Sequence, residues 1–184
     1  MKMILLGGVI VSLTGCNNNF AQQETKVFSI DIDGNNLFYD EDCEDAAAIK
    51  SSAEGFTIAA MGRNYYKPDV KAETEYYSET LKEYFTADDW IDNDNAYIVK
   101  NKLMMSVEEL NMESIQLVRI GGEGACIVDY TYVLIVENST SDFFSGYEIK
   151  NGTSYETAIQ LKMLRQQGEW KIDEYSIERT EEIN

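Results

Sequence analysis

The spacing of apolar residues changes near residue 113, and this change limits the possible folds more than any other feature of the sequence. Before it, apolar residues recur mainly at helical spacing; after it, they alternate with polar residues as in half-buried strands. Four strand-like runs follow: ESIQLVRI, ACIVDYTYVLIVEN, SYETAIQLKMLR and EWKIDEYSIE. Compact turns separate the first two runs (GGEG) and the last two (QQG). The second half of the chain is therefore predicted to be an antiparallel meander of about four strands.

The first half of the chain predicts helices. A first helix is predicted at residues 45–64 from apolar residues at helical spacing: Ile49, Ala53, Phe56 and Ala60. A second is predicted at 71–85, and a short one after Ser106, where SVEE fits a capping box. Near the N-terminus, VFSIDI and LFYD flank the turn-like DGNN and predict a hairpin at 27–39.

Helices followed by a meander predict an α+β fold, in which N-terminal helices pack on one face of a curved antiparallel sheet of about four strands. The chain has 184 residues, of which 44% are hydrophobic. This length and composition are typical of one folded domain with a short appendage.

The charge and the missing histidine exclude several classes of function. The chain carries 15 Lys and Arg against 33 Asp and Glu, which gives a net charge of -18. This charge repels nucleic acid, so no nucleic-acid partner is expected. The sequence contains no histidine, which excludes a Ser-His-Asp or Cys-His catalytic set and a zinc site of cysteines and histidines within this chain. We expect no cofactor and no metal.

The first 16 residues have the layout of a secretory signal that ends at a cysteine. MKMILLGGVIVSLTG places one lysine before an apolar run too short to span a bilayer, and Cys16 follows directly. LTGC resembles a lipobox. The resemblance implies that Cys16 receives a diacylglyceryl group, which would anchor the protein in the cell membrane facing outwards, with the membrane as a partner. The alternative is a plain secretory signal with an incidental cysteine.

These features divide the chain into four parts. Residues 1–15 are predicted to be the signal peptide, and 16–26 a polar, flexible tether. Residues 27–42 form an N-terminal hairpin or extension, and 43–184 form the folded domain.

Two cysteines remain after lipidation, Cys43 and Cys126. They can form one disulfide, which export would permit. They can equally be two buried free thiols that pack as small hydrophobic residues. Their spacing does not distinguish the two states.

The end of the sequence carries a second resemblance. In LKMLRQQGEWKIDEYSI, apolar alternation leads to a turn at Gly168 and then to Trp170, Lys171, Ile172 and Asp173. This pattern is similar to the closing hairpin of NTF2-like domains, and the likeness covers roughly residues 43–180. It implies a cystatin-like cone, a curved sheet wrapped around helices. Such domains include isomerases, dehydratases, small-ligand binders and assembly modules of bacterial envelopes, conjugation machinery among them, so the fold alone does not give the function.

Two patterns suggest sites, each with a plainer interpretation. Asp129 lies in an otherwise apolar strand, where a buried carboxylate could act as a general base; it could also face solvent on the outside of the sheet. It is the one candidate catalytic residue, and no catalytic set is complete. DIDGNN resembles the first half of a calcium loop but fails the EF-hand pattern at Asn36 and Asp42, so we interpret it as a turn. DNDN at 92–95 is incomplete in the same way.

Three hypotheses follow from these patterns. The first is a membrane-anchored extracytoplasmic lipoprotein that binds an envelope protein partner or a small ligand without catalysis. The second is an isomerase or dehydratase that uses a buried Asp129. The third is an assembly component of a conjugation or secretion apparatus.

Overall fold

The computed structural model describes residues 24–86, 89–120, 123–144 and 147–183. The predicted leader and LTGC fall in residues 1–23, so the lipidation predicted at Cys16 lies outside the described residues. The elements in chain order are β1 (Lys26–Ile30), β2 (Asn36–Tyr39), α1 (Glu44–Met61), β3 (Arg63–Asn64), a 3₁₀ helix (Val70–Glu75), α2 (Glu79–Thr86), α3 (Trp90–Lys100), β4 (Met104–Ile120), β5 (Glu123–Asn138), β6 (Phe143–Phe144), β7 (Tyr147–Glu148), β8 (Thr153–Gln166) and β9 (Glu169–Ile183).

Within the described residues, seven strands form one mixed sheet. Its order is β2-β1-β4-β5-β8-β9, and β3 pairs with the start of β4. The four long strands β4, β5, β8 and β9 are antiparallel neighbours and correspond to the predicted meander. β1 lies parallel to β4, and β2 is antiparallel to β1. β6 and β7 form a separate two-stranded sheet.

The predicted fold class, N-terminal helices on an antiparallel sheet of about four strands in an NTF2-like cone, is wrong. The described residues form a seven-stranded sheet, and the parallel pairing of β1 with β4 makes it mixed. Lys26 lies opposite Ser114 in this pairing. Such a long separation along the chain leaves no local sequence pattern, whereas the tight turns of antiparallel hairpins do.

The short helix predicted after Ser106 is also wrong, because Ser106 lies within β4. The register between β4 and β5 shifts between Glu108 and Asn111 and again between Met112 and Ser114, and Glu109 has a φ of 50°. A bulge of this kind interrupts strict alternation. The apolar residues of this stretch therefore gave a mixed pattern that fitted a helix as well as a strand.

The core lies between α1 and one face of the sheet. α1 packs on β4 and β9 through a buried face that includes Ile49, Ala53 and Phe56. The inward face of β5 carries Val128, Tyr130 and Tyr132, all nearly inaccessible to solvent. The Thr57 and Tyr130 hydroxyls form a hydrogen bond across this interface. Burial of large side chains along α1 and β5 is the main stabilising contribution here.

Within the part of the chain that the structure describes, none of the helices is both long and apolar enough to cross a membrane.

Candidate functional site

The β1–β2 hairpin is built on an aspartate turn. The Asp31 Oδ1 atom accepts hydrogen bonds from the N–H groups of Asp33, at 2.9 Å, and Asn35, at 2.8 Å. Gly34 has a φ of 86°, which glycine adopts without strain. The hydrogen bond from the Asn35 N–H is the main reason why the pKa of Asp31 is lowered. The Asp31 carboxylate, at the first position of the calcium-like pattern, thus stabilises the turn. Among the described residues, no group of three or more potential metal ligands is placed to hold an ion.

All four residues of β2 are exposed. Leu37 is 48% exposed, Phe38 69% and Tyr39 47%, and Ile30 and Ile32 on the preceding strand and turn are also exposed. Single exposed apolar side chains are common, but a group of five on one small hairpin is typical of an interaction surface.

A cleft of about 1170 Å³ lies beside the hairpin, and we call it the hairpin cleft. It is bounded by the hairpin, by the first turn of α1 and by the adjacent ends of β4, β5, β8 and β9. Its lining includes Ser29, Tyr39, Glu44, Leu117, Arg165 and Trp170. Both apolar and charged side chains therefore face the same open space.

Trp170 and its neighbours form a fixed wall of the hairpin cleft. The indole N–H donates to Asp45 Oδ1 at 3.4 Å, and Arg165 Nη1 donates to the same oxygen at 3.1 Å. A Cβ atom at Gly124 would lie 3.1 Å from the Trp170 ring, so the ring rests against the backbone of β5. Packing and hydrogen bonding hold this wall in one arrangement.

The two remaining cysteines lie in the same region. Cys43 is half-buried and lines the hairpin cleft, Cys126 is buried, and both are free thiols in this structure. Burial, with a smaller contribution from the Asp45 charge, raises the pKa of Cys126 to about 12. This thiol therefore stays protonated at neutral pH and is a poor nucleophile. The disulfide between the two cysteines stays a prediction.

A second group of polar residues is buried beyond the C-terminal end of α1. Arg63 follows the helix and donates through Nη1 to the Ala59 carbonyl at 2.6 Å. Its Nη2 donates to Glu73 Oε2 at 3.3 Å, and both side chains are almost completely buried. The guanidinium also lies 5.8 Å from the centre of the Phe144 ring. This ion pair fixes the 3₁₀ helix against the end of α1.

Burial controls the titration of this group. It raises the pKa of Glu73 to about 7, although the Arg63 charge acts in the opposite direction. Burial also raises the pKa of Tyr77 and of Tyr175, and the nearby Glu73 charge adds to both effects. The pKa of Asp94 is raised by burial as well, against the Arg63 charge. A carboxyl group with a pKa near neutrality suits acid–base catalysis. However, Glu73 lines neither the hairpin cleft nor the smaller cavity beside Asp129.

Asp129 lies on the outer face of β5, opposite to Tyr130 and the core. Its two carboxylate oxygens accept hydrogen bonds from Ser114 Oγ, at 2.9 Å, and Gln160 Nε2, at 2.8 Å. The adjacent open cavity measures about 320 Å³ and also contains Lys26 and Glu178. Asp129 is half-buried here and linked to both neighbouring strands. A catalytic role for it stays a prediction.

Sequence reasoning did not identify the residue pairs that the structure brings together at the hairpin cleft and beyond the end of α1. Arg63 and Glu73 show no pattern that marks them as a pair, and neither do Asp45 and Arg165, which are distant in the chain. The exposed strand did carry a signal. NLFY lacks the alternation of a strand with one buried and one solvated face, so its apolar side chains could not all be covered within the hairpin.

The sequence matches no protein-family model and no curated protein. Among solved structures, the chain is similar to an IcmL-like type IV secretion system protein from Legionella pneumophila, with 12% identity and a TM-score of 0.42, over 75% of this chain and 93% of that one. It is also similar to the intermembrane space region of the chloroplast protein ARC6, with 16% identity and a TM-score of 0.41, over 76% of this chain and 98% of that one. Neither likeness assigns a function to this chain.

Proposed function

We propose that the protein is an extracytoplasmic, lipid-anchored binding module that assembles with a protein partner in the cell envelope. The observation that carries this proposal is the group of exposed apolar side chains on the β1–β2 hairpin, next to the hairpin cleft. Burying such side chains against a partner removes apolar surface from water, which favours association.

A protein partner fits this surface better than a small molecule. Small-molecule sites enclose most of the ligand in a cavity of roughly 300–1,000 Å³. The hairpin cleft is larger, at about 1170 Å³, and it continues onto the exposed strand β2. The Asp45 carboxylate on its wall is already bonded to Arg165 and Trp170. An extended surface of this kind suits assembly rather than catalysis.

The proposed location rests on the leader and on Cys16. Two acyl chains on a diacylglyceryl cysteine give stable membrane attachment, whereas one chain is marginal. The hairpin begins at Lys26, a short distance along the chain from Cys16. The proposed docking surface would therefore stay near the outer surface of the membrane.

Photo-crosslinking in intact cells tests the proposal. A photoreactive phenylalanine analogue in place of Phe38 should give a discrete crosslinked product with an envelope protein. The same analogue at Tyr66 is the control, because Tyr66 is also exposed but lies near the other end of β4, about 40 Å away along the strand at strand spacing. An absence of product at both positions, or equal products at both, would contradict the proposal.

The anchor is tested separately with Cys16→Ala in the full chain. We expect this variant to lose lipid labelling and to leave the membrane fraction. Continued lipid labelling would contradict the proposed anchor at Cys16. It would not contradict the proposed docking surface.

A further inference from the structure

We propose that the outer edge of β2 accepts one extended strand from the partner, and that this strand is basic with alternating apolar side chains. The inference rests on the proposed function, since it specifies how the partner binds at the hairpin. It concerns the backbone of β2 as well as its side chains.

The hydrogen-bond pattern of the hairpin leaves backbone groups free for such a strand. The Asp31 N–H donates to the Asn35 carbonyl at 3.0 Å, which begins the ladder between β1 and β2. Hydrogen-bonded and non-hydrogen-bonded pairs alternate in an antiparallel ladder. With the observed register, Leu37 and Tyr39 bond towards β1, while Asn36 and Phe38 direct their N–H and C=O groups outwards.

The outer edge of β2 is open within the described residues. β2 is the terminal strand of the sheet and pairs with β1 alone. Exposed backbone groups on a flat apolar edge are a template for another strand, because main-chain hydrogen bonds supply affinity and side chains supply specificity. The outer edge of β2 thus offers both the free backbone groups and the apolar side chains that a strand-addition site requires.

The side chains of β2 determine what an added strand would contact. The Tyr39 hydroxyl bonds with Ser29 Oγ at 2.9 Å on the face that lines the hairpin cleft. Phe38 points to the opposite face, where its ring centre lies 6.2 Å from that of Phe28. The alternating apolar side chains of an added strand lie on one face and would extend one of these two surfaces, since neighbouring strands place side chains about 5 Å apart.

The charges around β2 define the partner strand. Asp31 and Asp33 lie at the turn, and Asp40 and Asp42 follow the other end of β2, whereas Glu41 between them is paired with Lys50 at 3.8 Å. The strand between them carries no charge, so acidic groups flank an apolar centre. Lysine or arginine on the partner would complement these groups and accelerate association.

The same charges disfavour a second copy of this chain. In an antiparallel pair of β2 strands, the acidic turn of one copy would meet the acidic residues that follow β2 in the other. The net charge of -18 adds long-range repulsion between copies. A basic strand from a different protein is therefore the favoured occupant.

Binding of a short, fluorescently labelled peptide of alternating lysine and valine to the purified full chain tests this inference. Anisotropy should show saturable binding that weakens as salt increases, and a peptide of alternating glutamate and valine should not bind. Phe38→Pro removes an outward N–H without removing a bond to β1, and proline is tolerated on edge strands. We expect Phe38→Pro to weaken binding by about tenfold or more, whereas Phe38→Ala, which keeps the N–H, weakens it by about threefold or less.

Amide hydrogen exchange of the unmodified chain provides a measurement that does not depend on how the variants fold. Peptide binding should protect the Phe38 N–H strongly and leave the Leu37 N–H, already bonded to β1, nearly unchanged. A lysine–valine peptide that does not bind, equal weakening by Phe38→Pro and Phe38→Ala, or no protection of the Phe38 N–H on binding would each overturn strand addition. A dimer of the chain that Phe38→Pro dissociates would assign the edge to a second copy and would also overturn it. If strand addition is overturned by any of these results but position 38 still crosslinks to an envelope protein in cells, the proposed docking function stands and only the strand-addition mode is rejected.

Discussion

The two edges of the sheet are built in opposite ways. At the β9 edge, the segment Tyr76–Ser78 covers the strand: the Ile172 N–H donates to the Tyr76 carbonyl and the Ser78 N–H donates to the Ile172 carbonyl, both at 2.7 Å. At the β2 edge, none of the described residues covers the strand, and its apolar side chains are exposed. Proteins normally protect edge strands against unwanted pairing. The difference shows that, within the described ranges, the chain protects one edge and leaves the other open.

Charge protects the remainder of β9. Beyond Ile172 the strand carries a series of charged residues: Glu174, Glu178, Arg179, Glu181 and Glu182. Several form exposed ion pairs, such as Lys162 with Glu174 at 2.6 Å and Arg179 with Glu156 at 3.1 Å. Such pairs contribute little to stability, but charges on an edge oppose pairing with another chain.

The cover of β9 is held from inside the protein. Ser78 Oγ donates to Asp173 Oδ1 at 2.7 Å, and the Tyr77 side chain is buried. The preceding 3₁₀ helix is fixed by the Arg63–Glu73 ion pair. No comparable side-chain anchor joins β2 to the core among the described residues. The cover of the β9 edge is therefore held to the core by side-chain contacts, whereas the β2 edge is held through the backbone pairing of β2 with β1.

Truncating one side chain at each edge should give the largest difference. Ile172 is fully buried, so Ile172→Ala should lower the free energy of unfolding by about 3 kcal/mol. Leu37→Ala at the exposed edge should change it by less than about 0.5 kcal/mol. Urea unfolding of both variants measures this difference. Similar losses of unfolding free energy in the two variants would mean that β2 contributes to the core. Such a result would contradict the difference between the two edges.

The pH dependence of stability tests the anchor of the β9 cover. Burial raises the pKa of Glu73 to about 7, above its ordinary value of 4.5, so the folded state holds this proton more tightly than the unfolded state. The stabilisation is complete below pH 4.5 and is lost as pH rises through 7, with a total of at most about 3 kcal/mol.

Urea unfolding across this pH range measures the loss. Glu73→Gln should flatten the profile in this window, and Glu75→Gln, an exposed neighbour in the same 3₁₀ helix, should leave it unchanged. A rise of stability with pH in the wild-type chain would instead mean that the Arg63 ion pair outweighs burial.

Removing two of the charges of β9 should have a small effect on stability and a clear effect on association. Replacement of both Arg179 and Glu181 by threonine leaves the net charge unchanged and should alter the free energy of unfolding by less than about 1 kcal/mol. The C-terminal part of the β9 edge would then carry fewer charges, although Glu178 and Glu182 remain, and sedimentation should detect self-association. The control replaces exposed Glu54 and Lys67 by threonine. A double β9 variant that associates no more than this control would show that charge does not protect the β9 edge.

Local sequence patterns predicted the elements that have one buried face. In β5, Val128, Tyr130 and Tyr132 alternate with half-buried residues, and α1 repeats its buried residues at helical spacing. The patterns failed where long-range contacts or bulges decide the structure. The pairing of β1 with β4 has no local signature, and the register shifts of β4 obscured its alternation.

The candidate site was less predictable than the fold. Arg63 and Glu73 meet only because α1 ends beside the 3₁₀ helix, and the Asp45–Arg165 contact joins the first turn of α1 to the end of β8. The missing alternation of Leu37, Phe38 and Tyr39 indicated incomplete cover within the hairpin, but only the structure shows that none of the described residues covers them from outside. By contrast, the charged residues of β9 are evident in the sequence, but only the structure shows that they lie on an edge strand of the sheet.

The antiparallel pairing of β1 with β2 also determines how the protein would bear mechanical load. With the anchor proposed at Cys16 and a partner bound at β2, tension between membrane and partner would enter at Lys26 and pass through the hairpin. A pull on the N-terminal end of β1 acts along the strand, so the hydrogen bonds between β1 and β2 would share the load in shear instead of opening one after another. The strand that joins the tether to the docking edge could thus transmit force while α1 and the core stay unstrained.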